Sequence, residues 1–155
     1  MLSSGGNKNT SVPVDFGREP TLAIQAVAEA VQLARAVERE AASGSLTKAD
    51  ASPVTIVDLG VQALVAARLS RDFPDDALVA EEDATALRSP DAARLHARVV
   101  DLVTQVDSSA RPDRVLEWID RGGGTPGARF WTLDPIDGTT GLLRGGQYVI
   151  ALSSR

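Results

Sequence analysis

Trp131-Thr132-Leu133-Asp134-Pro135-Ile136-Asp137-Gly138-Thr139-Thr140-Gly141 is the stretch on which the reading of this chain turns. Phe130-Trp131-Thr132-Leu133 reads as a strand, with Asp134 at its carboxyl end. Pro135 keeps that strand from simply continuing, so Asp134 and Asp137 are expected on a tight loop just beyond it. Two carboxylates so placed can face one point, where their repulsion is costly unless a cation lies between them. Oxygen donors without His or Cys favour Mg²⁺ over zinc. Gly138-Thr139-Thr140 then supplies small residues and free backbone N–H groups at an expected helix start, a setting that suits a phosphate oxygen. Metal ligands and anion-binding amides would thus lie close together, as phosphoryl transfer requires. Taken alone the segment also fits a solvated turn, since Asp-Pro and Asp-Gly are common turn dipeptides. The spacing of the two Asp residues is one too long for an aspartyl-phosphatase nucleophile loop. The oxygen ligands that an EF-hand loop adds at alternate positions, and its distal Glu, are missing.

Working outward, the 155-residue chain has 43% hydrophobic residues, enough for one domain with a real core. A formal charge of −5 and the lack of any Lys/Arg run argue against a nucleic-acid-binding module. The acidic balance leaves an anionic substrate open, because bound cations invert the local field. With no Cys, disulfides, thiolate metal sites and Cys nucleophiles drop out, which fits a cytoplasmic protein. Met1–Thr10 is rich in Ser, Gly and Asn and has no apolar stretch of the kind a secretory signal needs. No apolar run approaches the roughly 20 residues needed to cross a bilayer, so a soluble protein without a membrane partner is expected.

Residues 1–16 read as a flexible tail and 17–155 as a single metal-binding α+β domain. Pro20 opens an Ala-rich helix to about Ala42, with Ile24, Val27, Val31 and Ala34 as its apolar stripe and Gly44 as its stop. Ser52-Pro53-Val54-Thr55-Ile56-Val57 is β-branched and suggests a strand; from Asp58, Val61, Leu64, Val65 and Leu69 mark a helix. Phe73-Pro74-Asp75-Asp76 signals a turn, and Ala77-Leu78-Val79-Ala80 a short buried strand that delivers Glu81-Glu82-Asp83. Helices are expected over 91–107 and around Val115–Ile119, the latter stopped by Gly122-Gly123-Gly124, and a last buried strand over Tyr148–Leu152. The blander readings put His96 on the surface, Trp118 and Trp131 in packing, and Asp75, Asp76 and Glu82 among solvated turn charges. Lys48 and Arg144 suit either substrate steering or the plain surface.

The Asp134–Thr139 segment resembles the D-P-[IL]-D-G-[TS] signature of the lithium-sensitive inositol monophosphatase superfamily. Gly127–Trp131 before it and Gly141–Tyr148 after it are similar to the bisphosphate nucleotidase branch, as is Lys48-Ala49-Asp50-Ala51-Ser52-Pro53-Val54-Thr55 followed by Asp58. Phe73-Pro74-Asp75-Asp76 leading to Glu81-Glu82 completes three separated blocks between about Glu19 and Leu152. Thr140 and Leu142 stand where that branch commonly has a basic residue and Phe, and Asp83 where the superfamily often has Ser. The long stretch Ala84–Gly127 is closer to the nucleotidases.

The resemblance implies the layered αβαβα sugar-phosphatase fold, here its amino-terminal half. It implies that Glu81, Asp134, Asp137 and the backbone carbonyl of Ile136 ligate Mg²⁺, with Asp134 bridging two ions. Thr139, paired with Asp58 or with Glu81, would orient and deprotonate the attacking water, and the Gly138 and Thr139 amides would hold the phosphate. Asp58 is also expected at a helix start, where the dipole favours its ionised form. The activity so implied is hydrolysis of the 3'-phosphate of 3'-phosphoadenosine 5'-phosphate to AMP and phosphate, sensitive to Li⁺ and linked to sulfate assimilation. Inositol monophosphate hydrolysis is the alternative within the family, and a non-catalytic metal- or phosphate-binding remnant the alternative outside enzymes. Family members continue for about as long again, adding another ligand Asp and the nucleoside pocket, so a fragment with little activity of its own is expected. Its sheet would end in mid-strand with an uncovered apolar edge.

Overall fold

The computed structural model describes residues 17–44, 52–138, 141–142 and 144–155. The expected tail, Lys48–Ala51 of the Lys48 block, Thr139 and Thr140 lie outside the described residues. Helices α1 (Arg18–Ala42), α2 (Pro53–Asp72), α3 (Ala93–Val106) and α4 (Pro112–Asp120) accompany strands β1 (Ala77–Val79), β2 (Phe130–Asp137) and β3 (Val149–Ser154). The strands form one mixed sheet in the order β1-β2-β3, with β1 parallel and β3 antiparallel to β2. This is a layered α+β arrangement: α1 packs on β3 and α2 on β2, while α3 and α4 close around α2.

Helix α2 begins five residues earlier than Asp58, and the strand expected over Ser52–Val57 is its first turn. Ser52 accepts a hydrogen bond from the Val54 N–H and Pro53 occupies the first helical position. That start signal and burial against three other helices override the β preference of Val54, Thr55 and Val57. The merged helix has 20 residues and a hydropathy of 1.3, so by length and composition it could cross a membrane, contrary to the sequence expectation. Two-thirds of that apolar window is buried inside the fold (67%), which makes α2 the central core helix.

The face that α1 buries is also different from the one its apolar spacing suggests. Leu22, Ala26, Ala30, Leu33, Ala34 and Val37 are buried, whereas Ile24 is 60% exposed. Small side chains decide this, because α1 and α2 approach closely. A Cβ on Gly60 would sit 2.8 Å from Leu33 Cδ1. Ala34 of the expected stripe is buried, while Val27 and Val31 are half-buried, Val27 lining a groove with β3. Strand β3 is the uncovered edge that the sequence suggests, with no further strand beyond it among the described residues, so Val149 is 56% exposed and the strand is not buried as its apolar run implies.

The amino ends of β1 and β2 are locked by a polar clamp. Asp76 is only 7% exposed, and its carboxylate accepts hydrogen bonds from the Trp131 indole (3.0 Å) and from Arg129 Nε (2.9 Å). Arg121 donates to the carbonyls of Phe73 and Asp76, fastening the same turn from α4's end. Phe73 packs against Trp131 with ring centroids 5.6 Å apart. Asp76 is therefore no solvated turn charge, although Asp75 beside it is exposed. Trp118 and Trp131 are buried as expected; His96 is half-buried, its ring nitrogen 3.0 Å from the Pro112 carbonyl. Replacing Asp76 by Ala leaves the buried indole N–H without its acceptor. Urea unfolding is expected to show a loss of about 2–3 kcal/mol for Asp76→Ala and under about 0.5 kcal/mol for Asp75→Ala.

Candidate metal and phosphate site

Parallel pairing of β1 and β2 brings their carboxyl ends side by side, the position where open α/β sheets commonly hold ligands. Val79 pairs with Thr132, and Glu81 and Asp134 each lie two residues further on. The register thus aligns two of the acidic residues singled out in the sequence.

Asp134 and Asp137 are not on a loop past the strand. Both belong to β2, with Asp134 opposite Ala151 and Asp137 opposite Val149 and a register irregularity between them. Pro135, which has no N–H to donate, sits in that bulge, where a strand tolerates it. The bulge has a consequence for direction. Residues three apart on a regular strand face opposite sides, but here Pro135 and Ile136 are both buried while Asp134 and Asp137 are both exposed. The two Asp side chains owe their common exposure to a strand irregularity rather than to a turn.

Asp58 joins them from α2. It is half-buried, and its carboxyl is pushed up to about 7, first by burial and then by the negative charges of Glu82, Asp134 and Glu81. Every charge that moves it is acidic, so carboxylates from α2, from the end of β1 and from β2 share one region. The direction is opposite to that expected from a helix start. With the helix beginning at Pro53, Asp58 lies beyond the first turn, where the dipole effect has faded. Glu82 is half-buried and is likewise raised, by burial and by Glu81 and Asp83, so it is not simply a solvated turn charge. Asp137 is exposed and is not among the charges that shift Asp58.

These donors are all oxygen and their repulsion is uncompensated, which fits a hard divalent cation in chemical type. Among the described residues, no three acidic or His side chains are gathered closely enough to hold an ion between them.

Gly138 follows at φ +90°, a conformation that favours Gly, and its carbonyl accepts the Gly141 N–H at 2.7 Å. Gly141 is required by space: a Cβ there would fall 1.8 Å from the Gln147 carbonyl oxygen. Thr139, expected as both catalytic and phosphate-binding, lies outside the described residues. A cleft of about 390 Å³ between the start of α1 and the end of α2, bounded by Arg18, Gln25, Asp72 and Phe73, includes none of the acidic group. A groove of about 470 Å³ along β2 and β3 reaches Asp134.

Two participants were missed in the sequence. Glu82 was hidden by adjacency to Glu81. Gln62, fully buried, hydrogen-bonds the backbone of Glu82 through both ends of its amide. The available signal was a lone amide inside the apolar run Val61–Ala67, one helical turn after Asp58.

The chain belongs to the inositol monophosphatase family, whose sequence pattern matches residues 19–153. Among curated relatives it is 40% identical over 153 residues to the 3'(2'),5'-bisphosphate nucleotidase of Emericella nidulans, covering 90% of this chain and 43% of that protein. The protein of the same name from Schizosaccharomyces pombe is 41% identical, with 90% and 44% covered, and that from Oryza sativa 40% identical, with 89% and 42% covered. The chain therefore spans less than half the length of these relatives.

A carboxyl raised in the folded state binds protons more tightly there than when unfolded. Its stabilising contribution is complete below the ordinary value of 3.8 and is lost as pH rises through about 7. With divalent cations chelated, Asp58→Asn is therefore expected to gain in urea midpoint on the wild type from pH 4 to pH 8. An unchanging gap across that range would mean that Asp58 is not in this acidic environment.

Proposed function

We propose that this chain supplies the metal- and phosphate-holding part of a Mg²⁺-dependent phosphomonoesterase acting on the 3'-phosphate of 3'-phosphoadenosine 5'-phosphate. The observation that carries the reading is the convergence of Asp58, Glu81, Glu82 and Asp134 from three elements, recorded in the upward shift of Asp58. Membership of the inositol monophosphatase family supports a phosphate ester as substrate, and the names of the relatives support the bisphosphate nucleotide. A small cytoplasmic metabolite suits the acidic chain better than a nucleic acid.

Glu81, Asp134, Asp137 and the carbonyl of Ile136 are the groups that would hold Mg²⁺. Bound there, the ion would supply charge neutralisation for the phosphate and a more acidic water. Thr139, with Asp58 or Glu81, would orient the attacking water and take its proton. The backbone N–H groups of Gly138 and Thr139 would hold the phosphate oxygens. In-line attack forms the bond from water oxygen to phosphorus and breaks the bond to the 3'-oxygen, which leaves as the AMP hydroxyl after taking a proton.

The test pairs calorimetric binding with phosphate release, comparing 3'-phosphoadenosine 5'-phosphate with inositol 1-phosphate in the presence of Mg²⁺. Tighter, Mg²⁺-dependent handling of the nucleotide is expected, weakened about a hundredfold or more in Asp134→Asn. Preference for the inositol ester would move the assignment to inositol monophosphate hydrolysis, and binding with no release to the non-catalytic role.

A further inference from the structure

Gln62 and Asp76 are the only polar side chains buried among the described residues. Asp76 belongs to the clamp at the amino ends of β1 and β2. Gln62 lies at the other end, and its surroundings make an amide an unexpected choice. It is fully buried on the most apolar helix of the chain, where Val61, Ala63, Leu64 and Val65 around it are buried as well. Burying an amide costs free energy unless its hydrogen bonds are made, and Met or Leu would fill the space without that cost. Its bonds are made, and they are directional. Nε2 donates to the carbonyls of Glu82 and Ile119, both at 2.6 Å, and Oε1 accepts the Glu82 N–H at 3.1 Å.

Holding both the N–H and the C=O of one residue is what a neighbouring strand does. Strand β1 has ended at Val79, so Gln62 extends backbone restraint past the strand to the acidic segment. The segment is held on either side as well, by Ala80 N–H on the Gly122 carbonyl (2.8 Å) and by Ala84 N–H on Asp120 (2.8 Å). Gly122 gives the amide its room, since a Cβ there would lie 2.2 Å from Gln62 Nε2. Gln62 follows Asp58 by four residues, so both project from the same side of α2.

We propose that Gln62 is a positioning residue: it fixes the Glu81–Glu82 backbone at one helical turn from Asp58 and so sets the spacing of the acidic donors for a divalent cation. This rests on the metal-site reading given above. A merely structural Gln62 would affect folding and leave the ion affinity of the folded protein alone; a positioning Gln62 changes that affinity.

The experiment titrates the chain with Mn²⁺, following free ion by electron paramagnetic resonance, for wild type, Asp134→Asn, Gln62→Met, Gly122→Ala and Leu64→Ala. Gly122→Ala keeps the amide but takes its place, and Leu64→Ala weakens the same core without touching the acidic segment. Gln62→Met and Gly122→Ala are expected to weaken Mn²⁺ binding by about 10- to 100-fold, the range found when a group behind a metal ligand is lost. Leu64→Ala is expected to stay within about twofold of wild type, and Asp134→Asn to lose binding. Wild-type affinity in Gln62→Met, or equal weakening in Leu64→Ala, overturns the role of Gln62 while the metal site stands. Wild type that takes up no Mn²⁺, or Asp134→Asn that binds normally, removes the metal site and this role together. Should Gln62→Met fail to fold, Gly122→Ala decides in its place. Amide exchange adds a second readout: Glu82 N–H is expected to be protected in wild type, and free exchange there would overturn the proposal.

Discussion

Parallel pairing of β1 with β2 is the constraint on which the rest of the molecule depends. The two strands are separated by 50 residues that form α3, α4 and their connections, so no local preference holds them in register. Side chains and backbone groups at either end do so instead. Asp76 joins the start of β1 to Trp131 and Arg129 at the start of β2. At the other end Gly122, just past α4, and Gln62 of α2 hold the backbone that follows β1. A one-residue slip would reverse the faces of β2 and point Asp134 away from Glu81.

The acidic group is assembled against its own repulsion. Asp58 is half-buried among three other carboxylates and its charged form is disfavoured, a cost that a scaffold must carry or a cation relieve. The scaffold here is unusually apolar just behind that group: α2 is buried over almost its whole length from Ile56 to Leu69. Among the described residues, the two polar side chains buried in the interior, Asp76 and Gln62, both serve the strand ends. A buried polar group that is fully bonded specifies one arrangement, because any other leaves it unpaired.

Where the sequence was read through local chemistry, it was legible. The Phe73–Asp76 turn, the strand leading to Glu81, the Gly44 stop and the strand at Trp131 depend on neighbouring residues and appear where expected. Readings failed where the outcome depended on what packs opposite. Of the expected α1 stripe Ala34 is buried but Ile24 is exposed, because the face is set by the close approach to α2 at Gly60. The Ser52–Val57 strand became helix because burial on several sides outweighs β-branching. Asp76 and Glu82 looked like turn charges because their partners are distant in sequence; Trp131 is 55 residues from Asp76.

The candidate site divides in the same way. Residue types and spacing by themselves determined the inventory: acidic side chains in three blocks, no sulfur or imidazole donor among them, and Gly at the positions where backbone must turn or pass closely. Resemblance carried by those blocks determined the family. Only the tertiary structure decided that Asp134 and Asp137 are both exposed strand residues either side of a register irregularity. It alone decided that Asp58 is raised rather than lowered and that Gln62 stands behind Glu82. The physical reason is that direction, burial and charge coupling are properties of approach between segments, and a single strand or helix does not contain them.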